Sequence, residues 1–155
     1  MRHAAQFEVT RRTRTWSPPV AQLKTWAQAA LGRRAHGAQL GVRVVGTAES
    51  RRLNARYRGK DQPTNVLSFP APSLPAVRAA GPLPLGDLVI CARLLRHEAR
   101  AQGKSLRAHW AHLIVHGALH LIGYDHERAR DARRMERREI TVLKRLGFAN
   151  PYRSV

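Results

Sequence analysis

The chain has 155 residues, room for one domain of ordinary size rather than two. Lys and Arg number 28 against 10 Asp and Glu, a net charge of +18; such a field draws polyanions and excludes an acidic protein. Cys91 is the lone cysteine, which excludes an intrachain disulfide and a multi-cysteine zinc site.

Residues 6–10 alternate Phe7 and Val9 with Glu8 and Thr10, the period of a first strand. Ser17, Pro18 and Pro19 read as a helix start with Ser17 as cap, and the helix runs to Leu31. Residues 39–45 form a second strand on the alternation of Leu40, Val42 and Val44. Thr47 reads as the cap of a second helix that Gly59 stops. Residues 65–69 make a third strand. Residues 70–84 hold five of the nine prolines and read as a long loop or flap. Residues 85–91 are mostly apolar and form a fourth, central strand. Residues 92–102 are helical. Ser105 caps the next helix, which extends to about Ile122 and stops at Gly123. Residues 129–146 form the last helix. A small mixed sheet with helices predicts an α/β or α+β layered fold. No run is long and apolar enough for a signal peptide or a membrane span, so the cytosol is the expected location and no membrane partner is expected.

Five of the eight histidines fall between residues 109 and 126. At ~100° per residue, His109, His112, His116 and His120 share one narrow helical stripe. His116 and His120 are an i, i+4 pair, so imidazoles on successive turns can converge on one ion. Gly123 lets the chain turn, and His126 follows three residues later to complete a triangle. Three neutral imidazoles suit Zn2+ and leave a fourth position open, the arrangement of a catalytic rather than a structural site. The glutamate that follows the first histidine in His-Glu-x-x-His proteases is replaced by Gly117. The peptidase mechanism therefore does not transfer.

His116-Gly-Ala-Leu-His120-Leu-Ile-Gly-Tyr-Asp-His126 resembles the signature of the YbeY family of metal-dependent endoribonucleases. Residues 53–70 resemble that family's central block, residues 85–91 its following strand, and residues 135–152 its tail. Asn65 departs from the aspartate expected there. The resemblance covers about residues 40–152 and implies a zincin-like α/β fold, a four-stranded mixed sheet flanked by five to six helices; the chain length sets one domain over residues 1–155. It implies one Zn2+ per chain on His116, His120 and His126, with cleavage of single-stranded RNA. It further implies maturation of the 16S rRNA 3′ end and ribosome quality control. The partners implied are the ribosome or its small-subunit precursor, a small ribosomal protein and an assembly GTPase.

Arg58, at the end of the second helix, is the candidate for binding the scissile phosphate, and His116 is the second candidate catalytic residue. Lys60 is a further candidate phosphate contact. Asp61 is read as a turn cap, and Asp87 as an acid in an apolar strand that needs a partner, either a ligand histidine that it orients or a structural hydrogen bond to backbone. Asp125 is read either as orienting a ligand imidazole or as a loop cap. His112 has a supporting, substrate or packing role open to it, and His109 is expected to be exposed. Glu136 and Glu139 are placed among arginines on a solvated helical face. The competing functions are a zinc hydrolase of another substrate, such as a peptidase, and a non-catalytic assembly factor with structural zinc.

Overall fold

The structure is a computed structural model that describes residues 6–71 and 83–153. Most of the expected 70–84 loop lies outside the described residues. The order is β1 (Gln6–Arg11), α1 (Val20–Leu31), a 3-10 turn (Gly32–Ala35), β2 (Ala38–Val45), α2 (Thr47–Arg58), β3 (Val66–Pro70), β4 (Leu83–Cys91), α3 (Ala92–Gln102), α4 (Leu106–Leu121) and α5 (Ala129–Arg145). The four strands form one mixed sheet in the order β1-β2-β4-β3. Strands β1, β2 and β4 run parallel, and β3 pairs antiparallel with β4, Val66 opposite Ile90 and Pro70 opposite Gly86. No described helix is long and apolar enough to cross a membrane.

The alternation seen in the sequence sorts the strand side chains onto two unequal faces. Leu40, Val42, Val44, Leu88 and Ile90 join α1 and α4 in the main core, around the fully buried Trp110 and Ile114. Val45, Leu67 and Val89 point the other way and pack with Leu53 of α2 and with Phe69. Helix α2 covers only part of this second face. That explains a correction: Asp87 is exposed and has no hydrogen-bond partner among the described residues. It lies beyond the cover of α2, beside Gly41, where an added Cβ would meet its carboxylate. Asp87 therefore needs no internal partner and orients no histidine.

Three local readings also change. Helix α1 begins at Val20 with Pro19 as cap, while Ser17 Oγ accepts a 2.9 Å hydrogen bond from Arg11 Nε. Helix α2 starts at Thr47 itself, behind Gly46, so the Thr47 hydroxyl caps nothing. Asp61 takes a two-pronged ion pair from Arg51, at 2.8 and 3.0 Å, instead of capping a turn. Both groups are exposed, so this pair contributes little stability. Ser105 does cap α4, accepting from the Ala108 N–H at 3.1 Å.

Gly86 sits where the β2–β4 register slips, so one extra residue bulges from β4. Its φ is +136°, and a Cβ there would collide with the Phe69 carbonyl oxygen on β3. Gly86→Ala should cost about 2 kcal/mol or more, from strained backbone and lost strand contact together. Chemical denaturation measures it; a loss below about 0.5 kcal/mol, the range of a neutral surface change, would contradict the account.

Candidate metal centre

Helix α4 is buried along most of its circumference, with Trp110, Ala111, Ile114, Val115, Ala118 and Leu119 in the core. Gly117 is one reason it lies so close to the sheet. A Cβ at that position would stand 2.8 Å from Leu88 Cδ2 of β4. The polar stripe of α4 is the histidine row. Successive ring centroids are 6.3 Å apart from His109 to His112, 6.2 Å from His112 to His116 and 4.8 Å from His116 to His120.

The chain then turns back. The N–H groups of Gly123 and Tyr124 bond to the carbonyls of His120 and Leu119, and Gly123 takes a φ of +102°. Asp125 Oδ1 accepts from the backbone N–H of His126 at 2.7 Å and of Glu127 at 3.3 Å. Of its two readings, loop cap is the one with hydrogen bonds behind it. This turn brings the His126 ring to 4.8 Å from His120 and 5.6 Å from His116. One ring nitrogen from each of His116, His120 and His126 lies within 4.8 Å of the others. Two nitrogens on a tetrahedral ion with bonds of ~2.0–2.1 Å stand roughly 3.4 Å apart. The three imidazoles thus fit a divalent cation once their nitrogens close in by up to about 1.4 Å. His116 and His120 are half-buried and His126 is exposed, so the triangle opens toward solvent on one side.

Burial, then the neighbouring His116 and His126, lowers the His120 pKa to about 4. A neutral His120 keeps its lone pair for a ligand bond.

The largest correction concerns Glu139, which is fully buried rather than on a solvated face. Its Oε1 lies 2.6 Å from His116 Nδ1 and 3.4 Å from His112 Nε2, and its Oε2 accepts from the Tyr152 hydroxyl at 2.5 Å. Burial works against the charge. Hydrogen bonds from His112, His116 and Tyr152 outweigh it and hold the carboxyl down at about 2. An ionised carboxylate only accepts, so His116 Nδ1 is the donor and its Nε2 lone pair is left free. The same burial, then Glu139, pushes the Tyr152 hydroxyl pKa well up, so it stays a donor. A signal for Glu139 exists in the sequence: it shares the stripe of Met135, Val142 and Leu143, the apolar face of α5.

His109 is also corrected. It is 4% exposed, and its Nε2 lies 2.9 Å from Glu98 Oε1. Glu98 in turn receives the Asn65 side-chain amide. Sequence reasoning missed Glu98 altogether, because its partners lie 11 and 33 residues away. Arg58 and Lys60 are exposed at and just after the end of α2. Arg58 has no hydrogen bond or ion pair among the described residues.

Comparison with known proteins identifies relatives of the whole chain. The family profile described as Endoribonuclease YbeY matches residues 8–147. The chain is 56% identical over 139 residues to the Endoribonuclease YbeY of Alkalilimnicola ehrlichii, across 88% of this chain and 82% of that protein. The solution structure of TM1509 from Thermotoga maritima shares the fold at a TM-score of 0.59 and 21% identity, covering 96% of this chain and 99% of that one.

Glu139 makes acid stability testable on metal-free protein. Its folded pKa, about 2, lies below the ordinary 4.5. Its contribution is therefore complete above about pH 4.5 and lost as pH falls toward 2. His120, lowered from 6.5 to about 4, also makes stability fall with acid across that interval. Glu139→Gln should be less stable at pH 6 and lose less on going from pH 5 to pH 3. Urea unfolding at the three pH values reads both, and a slope equal to wild type would contradict the assignment.

Proposed function

The chain belongs to the YbeY family, and on that footing we propose that it is a zinc-dependent endoribonuclease that cuts single-stranded RNA. The observation that carries the reading is the convergence of one ring nitrogen from each of His116, His120 and His126. These three residues would hold one Zn2+ per chain. Bound there, the ion supplies Lewis acidity toward water or a phosphate oxygen.

The chain's own groups do the rest. Glu139 accepts a hydrogen bond from His116 Nδ1–H and so leaves the Nε2 lone pair for the metal. Arg58, uncommitted to any ion pair among the described residues, is free to take a phosphate and stabilise charge that develops in the transition state. The remaining cations hold the RNA backbone in a salt-dependent way. Gly117 supplies no carboxylate, which disfavours peptide hydrolysis.

We place the activity in 16S rRNA 3′-end maturation and ribosome quality control in the cytoplasm, with residues 1–155 acting as a single domain. Its partners would be the ribosome or its small-subunit precursor, a small ribosomal protein and an assembly GTPase. This assignment rests on family membership.

Two variants test the chemistry. His120→Ala should lose both metal and cleavage. Arg58→Ala should keep its metal and its RNA affinity at high salt, with kcat lower by about 10²–10³, the scale of one lost transition-state donor. Metal analysis and single-turnover cleavage of a single-stranded RNA measure both. Full activity in metal-free His120→Ala protein would sink the metal-dependent reading.

A further inference from the structure

Beside His116 lies a cavity of about 770 Å³, within the size range of ligand sites. His116 is the one member of the metal triad in its wall. Its walls include Glu98, Lys104, His112, Tyr152 and Arg153.

Two of these groups are held in place for recognition. The Glu98 side chain is 33% exposed. His109 Nε2 fixes its Oε1 at 2.9 Å, and the Asn65 amide lies 3.3 and 3.2 Å from its two oxygens. A carboxylate oxygen accepts about two hydrogen bonds, so Oε2 keeps one position open. Tyr152 is 46% exposed. Its hydroxyl is tied to Glu139, and its ring stands edge-on to His112 at 5.3 Å. The ring is thus an oriented platform with surface to spare.

The sign of Glu98 selects what can meet it. Phosphate is repelled by a carboxylate, whereas a base with an N–H edge is attracted. Lys104 Nζ gives one donor to the Pro151 carbonyl at 2.7 Å and has two left for a phosphate on the rim. Aromatic platform, acceptor and cation together match the parts of a nucleotide.

Given the endoribonuclease reading above, on which this rests, we propose that the cavity is a nucleotide subsite. An RNA base stacks on Tyr152 and donates a hydrogen bond from its exocyclic amino group to Glu98. Cytosine, adenine and guanine carry such a group. Uracil does not, and its two carbonyl oxygens flank its only ring N–H with the wrong polarity for a carboxylate. The enzyme therefore prefers an amine-bearing base close to the cut.

Binding tests this without requiring cleavage. Fluorescence anisotropy would compare three short RNAs with the full-length protein: oligouridine, the same RNA with one cytidine, and the same with one N4,N4-dimethylcytidine. The cytidine should raise affinity about tenfold, and the dimethylated base should not. Glu98→Gln should reduce the cytidine gain to less than twofold. Equal affinity of wild-type protein for all three RNAs, or equal gains from cytidine and its dimethyl form, would overturn the proposal, whether or not the Glu98→Gln variant folds. Cytidine preference without any cutting would sink the nuclease reading and leave the subsite standing. Cutting with no cytidine preference would do the reverse.

Discussion

A carboxylate cut off from water must find its counter-groups in the protein, and Glu139 finds three. His116, His112 and Tyr152 come from α4 and from the segment beyond α5, so one buried charge ties together parts of the chain that are distant in sequence. An unpaired ion at that depth would cost several kcal/mol. The position of α5 against α4, the proton on His116 Nδ1 and the orientation of Tyr152 are consequently one arrangement rather than three. The metal triangle and the neighbouring cavity share this anchor through His116, which belongs to both.

The charge of +18 surrounds this arrangement without entering it. Helix α4 carries one fixed cation, Arg107, at its first turn, where the guanidinium lies over Trp26 and Phe148. Exposed arginines include Arg51, Arg52, Arg56 and Arg58 on α2 and Arg130, Arg133, Arg134, Arg137 and Arg145 on α5. His116 and His120 sit on a helix whose only arginine or lysine is Arg107. Long-range attraction for a polyanion and the local chemistry of its cleavage are thereby separated in space.

Features governed by short-range geometry were readable from the sequence. The histidine stripe follows from helical angle alone, and the return of His126 from a glycine that permits a sharp turn. The Ser105 cap and the strand faces likewise need only local spacing. What escaped depends on coverage by remote elements. Asp87 is exposed because α2 stops short of it, which no property of β4 reveals. His109 is buried where Glu98, itself held by Asn65, meets its ring. Glu139 was read among its arginine neighbours, although its i+3 and i+4 partners Val142 and Leu143 already place it on the apolar face of α5. The caps at Ser17 and Thr47 failed for a smaller reason: Arg11 captured the Ser17 hydroxyl, and α2 began one residue early.

The close seating of Gly117 on Leu88 also limits where evolution could take this scaffold. A side chain at 117 would start its path toward the sheet, into an atom that is itself fully buried. A single substitution to glutamate would complete the His-Glu-x-x-His spelling and still meet Leu88 first. Acquiring that residue displaces the Leu88 side chain or overpacks the space between α4 and β4. The route from this site toward peptide hydrolysis is thus opposed by packing as well as by chemistry.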